Sequence, residues 1–178
     1  GNNTRDRGDM LMKTRNYQNG VGLIEVLVAM LILAIGVLGF IALQYRAVEA
    51  TSESGYRVQA INITRDLAER VRINRGVVDT YMSEIGTPDK QTVSAKNCFT
   101  TNCSTTELAD FDVAQVTVRA RSVGMSMNVM ECQGNSDGRN CVYVAWGDTS
   151  ATNGTGQGDC TNNTAYNPAS TCLIMELY

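Results

Sequence analysis

The chain has no histidine. This removes Ser-His-Asp triads, histidine metal sites and imidazole acid–base chemistry together. Charge of one sign is also missing. Lys and Arg number 15 against 18 Asp and Glu, so the basic footprint that nucleic-acid binding requires is absent. Only 6% of residues are aromatic, and Tyr56, Tyr143, Trp146 and Tyr166 form no stacking stripe; at strand positions such rings read as core. No GxGxxG, P-loop, G-x-S-x-G or C-x-x-C stretch occurs. Asp148 and Asp159 lack EF-hand spacing and read as part of a solvated loop. The expectation is a chain that is not an enzyme and carries no cofactor or metal.

What is present is a strong asymmetry. The 178 residues suit one domain with an appendage, and 43% apolar against 19% charged excludes a disordered chain. Residues 21–43 read VGLIEVLVAMLILAIGVLGFIAL, with Glu25 as the single charge. The 18 residues 26–43 are uncharged. As a helix they rise ~27 Å, close to the apolar thickness of a bilayer. A core helix of a soluble protein shows a polar face, and this run shows none.

Two plain readings compete for this run. A cleaved signal peptide has Lys13 and Arg15 as its basic region and a passable cut at Val48-Glu49-Ala50, but its apolar stretch is normally shorter. A plain membrane anchor has no use for Glu25. A carboxylate inside lipid is unfavourable, by roughly 2.5–3.5 kcal/mol at a helix centre, and less near a helix N-terminus, where the dipole favours it. A helix that leaves the bilayer to pack among other helices can use it, since a neighbour's amine can neutralise it.

Residues 12–30 carry a resemblance. A basic leader, Met12-Lys-Thr-Arg-Asn-Tyr-Gln-Asn-Gly20, precedes Val-Gly-Leu-Ile-Glu25-Val-Leu-Val-Ala-Met30. A leader ending in Gly, then an apolar run with Glu at its fifth position, resembles the type IV prepilins. Two further stretches, Leu33-Ala-Ile-Gly-Val-Leu-Gly-Phe-Ile-Ala-Leu-Gln44 and Ile63-Thr-Arg-Asp-Leu-Ala-Glu-Arg-Val-Arg-Ile-Asn-Arg75, resemble the PilV-type minor pilins. The resemblance is close over 12–75 and faint beyond. It implies cleavage between Gly20 and Val21 by a prepilin peptidase, N-methylation of Val21, and an assembly role for Glu25. The family's first mature residue is usually Phe, and here it is Val21. Residues 1–11 read as an upstream overrun, with Met10 and Met12 both candidate starts.

The resemblance further implies a fold class and an organisation. The fold is α+β and pilin-like, with a long N-terminal helix, membrane-spanning in its first half, packed on a small antiparallel β-sheet head. Residues 1–20 are the leader, 21–44 the transmembrane and filament-core helix, 45–75 its amphipathic continuation, and 76–178 the head.

The residues themselves support a continuous helix. Between 44 and 74 there is no Pro and one Gly. Ala60, Thr64, Leu67 and Val71 recur at helical spacing, with Ala68 beside Leu67. Gly36 and Gly39 stand near where major pilins often carry a Pro, and offer slack or close packing. Arg70, Arg72 and Arg75 read as a solvated basic helix end, with Gly76 as the residue that stops the helix. Such a helix is ~80 Å long, more than a domain of this size can bury but suited to stacking in a filament.

Residues 77–103 read as polar and irregular, turning at Gly86-Thr-Pro88. Ser104-Thr-Thr-Glu107 fits a capping box, and Ala109, Val113, Val116, Ala120 and Val123 follow at helical spacing. The same stretch alternates at 116, 118 and 120, as a strand does, but cap and period together favour a helix. Residues 125–132 and 140–146 read as strands about a Gly-Asn-Ser-Asp-Gly turn, 147–170 as a long loop, and 172–178 as a closing strand.

Six cysteines allow fifteen pairings. Proximity favours Cys98 with Cys103, Cys132 with Cys141, and Cys160 with Cys172. An exported, membrane-tethered head favours disulfides over a metal site.

The function implied is that of a minor pilin, priming type IV pilus assembly and sitting near the pilus tip. Its partners are the prepilin peptidase, other minor pilins and the major pilin, with a tip adhesin as a further candidate. It starts in the bacterial inner membrane, head in the periplasm, and ends at the cell surface. A pseudopilin of type II secretion is the alternative within the superfamily. A binding module on a simple anchor is the alternative outside it.

Overall fold

The computed structural model describes residues 20, 22–162 and 165–177. The chain divides into two compact units, Gly1–Val48 and Glu49–Tyr178. Helix α1, Leu23–Ile73, is unbroken through Gly36, Gly39 and Gly55. In the first unit it exposes its apolar side chains all round, from Leu23 to Leu43.

The second unit is the head. Here α1 becomes one-sided, burying Ala60, Ile63, Thr64, Leu67, Ala68 and Val71. Thr64 sits on this buried face because its hydroxyl donates to the Ala60 carbonyl at 2.6 Å, which satisfies it without water. A 3₁₀ turn, Arg75–Val77, leads into α2, Val78–Ile85. Helix α3, Thr105–Ser122, starts at a full capping box: Ser104 Oγ accepts from the Glu107 amide, and Glu107 accepts from the Ser104 amide. Strand β1, Met125–Glu131, pairs antiparallel with β2, Asn140–Trp146, which pairs antiparallel with β5, Cys172–Glu176. The order is β1-β2-β5.

Alternation along the strands makes two cores. Met125, Met127, Val129, Val142, Val144 and Trp146 face the helices and join Leu67, Val71, Tyr81, Ile85, Val113 and Val116. Cys132, Cys141, Tyr143, Ala145 and Cys172 face the other way, and with Ala151 and Cys160 form a second cluster. Strand β2 is therefore buried on both faces from Cys141 to Trp146.

Three sequence readings need correction. Residues 78–85 are helical rather than irregular, because Val78, Tyr81 and Ile85 share one buried face. The loop 147–170 contains a short parallel pair, β3 (Ser150–Asn153) with β4 (Asp159–Thr161). Side chains hold this pair: Asp159 accepts from Thr152 Oγ1 at 2.5 Å and from the Gly156 amide at 2.9 Å, and Thr161 Oγ1 donates to Asn153 Oδ1 at 2.6 Å. Gly76 does not stop α1 in a left-handed cap, since a 3₁₀ turn follows the helix at once. The glycine that plays this part is Gly124, after α3, with φ +75°.

Candidate functional site

The sequence placed the functional weight on the N-terminal segment. Val21 lies outside the described residues, as does the leader before Gly20. Glu25 stands in the first turn of α1 and is exposed. The turn is closed by the Gly22 carbonyl, which accepts from the Glu25 amide at 2.9 Å and the Val26 amide at 3.3 Å. The carboxylate therefore sits where the aligned peptide dipoles are positive. Among the described residues, no cation lies within ion-pair distance of it.

Beyond Glu25 the helix is long and apolar enough to cross a membrane, and none of that stretch is buried within the protein. Leu27, Leu31, Leu38, Phe40 and Leu43 are each more than half exposed. A continuous apolar surface of this extent is unfavourable in water and is covered by lipid or by other protein.

The head is held rigid by covalent and ionic ties. Cys98 is bonded to Cys103, Cys132 to Cys141, and Cys160 to Cys172. The second bond closes the β1–β2 hairpin one residue beyond the strand end. The third ties the parallel pair to β5. The first closes a short loop that presents Phe99, whose ring meets buried Phe111 edge-on at 4.9 Å between centroids.

The ionic tie joins α1, α2 and α3. Asp112 of α3 is buried and accepts from Arg70 Nη1 at 2.6 Å and from the Tyr81 hydroxyl at 2.6 Å. Arg70 also donates to Asp66 at 2.8 Å, and Asp66 in turn receives Arg119 at 2.9 Å. Asn74 donates to the Thr105 carbonyl at 2.7 Å, joining the end of α1 to the start of α3. Burial opposes the charge on Arg70, but its hydrogen bonds to Asp66 and Asp112 outweigh this and hold its pKa above the ordinary value. Burial, with the bond to Asp112, pushes the Tyr81 hydroxyl well up. The Arg70 region is therefore not the solvated helix end that the sequence suggested, although Arg72 does stay exposed beside Glu69.

A second contact fixes the lower part of the head. Trp146, buried at the end of β2, donates its indole N–H to Glu53 of α1 at 3.3 Å. Arg57 pairs with the same carboxylate at 3.3 Å and lies 6.0 Å from the indole centroid. Neither this contact nor the Arg70 network was evident from the sequence, since their partners lie 93 and 42 residues apart. The one signal that could have found the network is that Asp112 stands three residues after Ala109 and four before Val116, on the apolar face of α3.

Among the described residues no group of His, Cys, Asp or Glu is arranged to hold a metal. Residues 42–114 match the family described as type IV pilin Tt1218, and residues 15–41 match the prokaryotic N-terminal methylation motif. No curated protein and no solved structure gives a significant match.

Proposed function

We propose that the chain is a type IV prepilin-like protein and serves as a minor pilin, in keeping with the matches of residues 42–114 and 15–41. The observation that carries this is Glu25, alone in charge on an apolar helix surface that the protein itself leaves bare. The prepilin waits in the inner membrane as a single span, with its disulfide-bonded head in the periplasm. The peptidase cuts between Gly20 and Val21, and the new Val21 amine is methylated. The subunit then leaves the bilayer for the dry core of a filament. There the Glu25 carboxylate of one subunit pairs with the Val21 amine of its neighbour. Two unit charges in low dielectric discriminate strongly against wrong registers, whatever their net effect on stability. The bonds within the head are structural, and the chemistry is done to this chain rather than by it.

The PilV-type stretches at 33–44 and 63–75 favour a minor pilin near the pilus tip, where it acts with other minor pilins to prime assembly. The test is the intact mass and N-terminal sequence of membrane-fraction protein, with and without prepilin peptidase, together with sheared pili from a strain carrying Glu25→Ala. The expected result is a peptidase-dependent N-terminus at Val21, and a variant that is cut but absent from pili. An uncut leader, or normal entry of the Glu25→Ala variant, overturns the reading.

A further inference from the structure

Strand β5 is an edge of the sheet, and its register shows which backbone groups it leaves open. At one end the Leu177 amide donates to the Asn140 carbonyl at 2.9 Å; at the other the Trp146 amide donates to Thr171 at 3.0 Å. Bonded pairs alternate along an antiparallel ladder, so Leu173 and Met175 also bond to β2. Cys172, Ile174 and Glu176 therefore turn their N–H and C=O groups to the open side. One side-chain oxygen meets them there among the described residues: the Ile174 amide donates to the Tyr166 hydroxyl at 3.0 Å. The β1 edge is different. Its Val129 amide is held at 2.9 Å by Asn128, the residue just before it, and α2 and α3 pack against the strand.

The plug on β5 is a single side-chain contact. Tyr166 is 49% exposed and stands in an isolated antiparallel bridge with Thr161 of β4. Natural sheets guard open edges with lysine, proline or bulges, and β5 carries none of these. A cleft of about 350 Å³ opens beside the same edge, lined by Gln133, Asn135, Tyr143, Tyr166, Ile174 and Glu176. Tyr143 is wholly buried, and its hydroxyl has no hydrogen-bond partner among the described residues. Glu176 is the one charge among the described lining residues. It meets Arg139 at 2.8 Å yet stays 43% exposed.

We propose that the β5 edge is a strand-acceptor site, filled in the filament by an extended segment of a neighbouring pilin subunit. The segment bonds Cys172, Ile174 and Glu176 through its main chain and displaces the Tyr166 hydroxyl. It seats a basic side chain in the cleft against Glu176. Main-chain bonds supply affinity in this mode, and the cleft supplies selection. The proposal rests on the pilin-subunit reading above.

The test compares sheared pili and membrane fractions from strains carrying the full chain, Ile174→Pro, Glu176→Lys or Tyr166→Phe. Proline at 174 removes an outward N–H, so the β2–β5 ladder survives, but it also trims a side chain that packs against the second core. Ile174→Pro and Glu176→Lys are expected in the membrane, cut normally, but reduced about tenfold in pili, the equivalent of about 1.4 kcal/mol in binding. Tyr166→Phe frees the Ile174 amide and is expected in pili at or above the wild-type level. If Ile174→Pro does not accumulate, Glu176→Lys decides, because that exposed side chain is not part of either core. Entry of the edge variants at the wild-type level overturns the acceptor site alone. Absence of the wild-type chain from pili overturns the subunit reading, and the acceptor site with it.

Discussion

Tyr81 donates its hydroxyl to Oδ2 of Asp112 across 2.6 Å, joining α2 to α3, while Arg70 of α1 takes Oδ1 of the same carboxylate. Three helices thus meet at one buried acid. Asp112→Ala leaves the Tyr81 hydroxyl with only the longer bonds to the Arg70 carbonyl and the Asn74 amide, each at 3.4 Å, and Arg70 with one partner fewer. We expect it to destabilise the head by about 3 kcal/mol. Tyr81→Phe leaves the Arg70–Asp112 pair intact and should cost about 1 kcal/mol. The chain has a single tryptophan, Trp146, in the head. Its fluorescence during denaturant unfolding of the full chain in detergent reads both variants. The double variant should lose less than the two single losses combined, because both changes remove the same bond.

The same bond sets an alkaline response. Burial first, and the hydrogen bond to Asp112 second, raise the Tyr81 pKa above its ordinary 10.0. The folded state therefore keeps a proton that the unfolded state releases. Stability is complete below the unfolded pKa and falls as pH rises above it, by about 1.4 kcal/mol per pH unit for this one group. Unfolding curves at stepped pH above ~10 should show this slope in the wild type and a shallower one in Tyr81→Phe. Equal slopes would assign the alkaline loss to other groups.

The elements that were legible from sequence are those with local causes. Helix α3 announces itself by Ser104 and Glu107, three residues apart, and by apolar residues at its own period. The lower half of α1 was legible from Ala60 to Val71 for the same reason. Helix α2 was not. With eight residues it has one apolar face, Val78, Tyr81 and Ile85, and only the packing against α3 and β1 gives that face a meaning. The β3–β4 pair escaped notice because its strands are short and polar, and Asp159, Thr152, Thr161 and Asn153 hold them by side chains. At the candidate site, Glu25 stood out because it is the one charge in a long apolar run. The β5 edge could not stand out, since which backbone groups face outward is a property of register rather than of residue type.

The disulfides differ in what surrounds them. Cys132 and Cys141 lie buried in the second core, whereas Cys98 and Cys103 are half-buried beside an exposed loop. Replacing Cys132 and Cys141 by serine removes a cross-link and places two hydroxyls in an apolar cluster. We expect a loss of about 2–4 kcal/mol, read by Trp146 fluorescence. The Cys98 and Cys103 pair should lose less, because no buried packing goes with it. An equal or greater loss there would show that the Phe99 loop holds the head together through its contact with Phe111.

Gly147 turns the chain out of β2 with φ +64°, and a Cβ built there would stand 3.3 Å from Thr171 Oγ1. That hydroxyl is already engaged with the Trp146 carbonyl, and the Thr171 amide donates to Thr149 at 2.9 Å. Gly147→Ala therefore meets two obstacles, a left-handed backbone and a side chain that cannot yield without giving up a bond. Gly124 shares the first obstacle, at φ +75°, but has open space where its Cβ would be. Gly124→Ala should cost about 1–2 kcal/mol from the backbone alone. Gly147→Ala should cost about 1 kcal/mol more, the net worth of one displaced hydrogen bond. Its effect should also reach Trp146, the adjacent residue, as a changed emission maximum in the folded state. Gly124→Ala adjoins Met125, the cross-strand partner of Trp146, but meets no side chain there, so its shift in that maximum should be the smaller of the two. If both glycines cost the same and neither moves the emission, the Thr171 contact carries no weight in this turn.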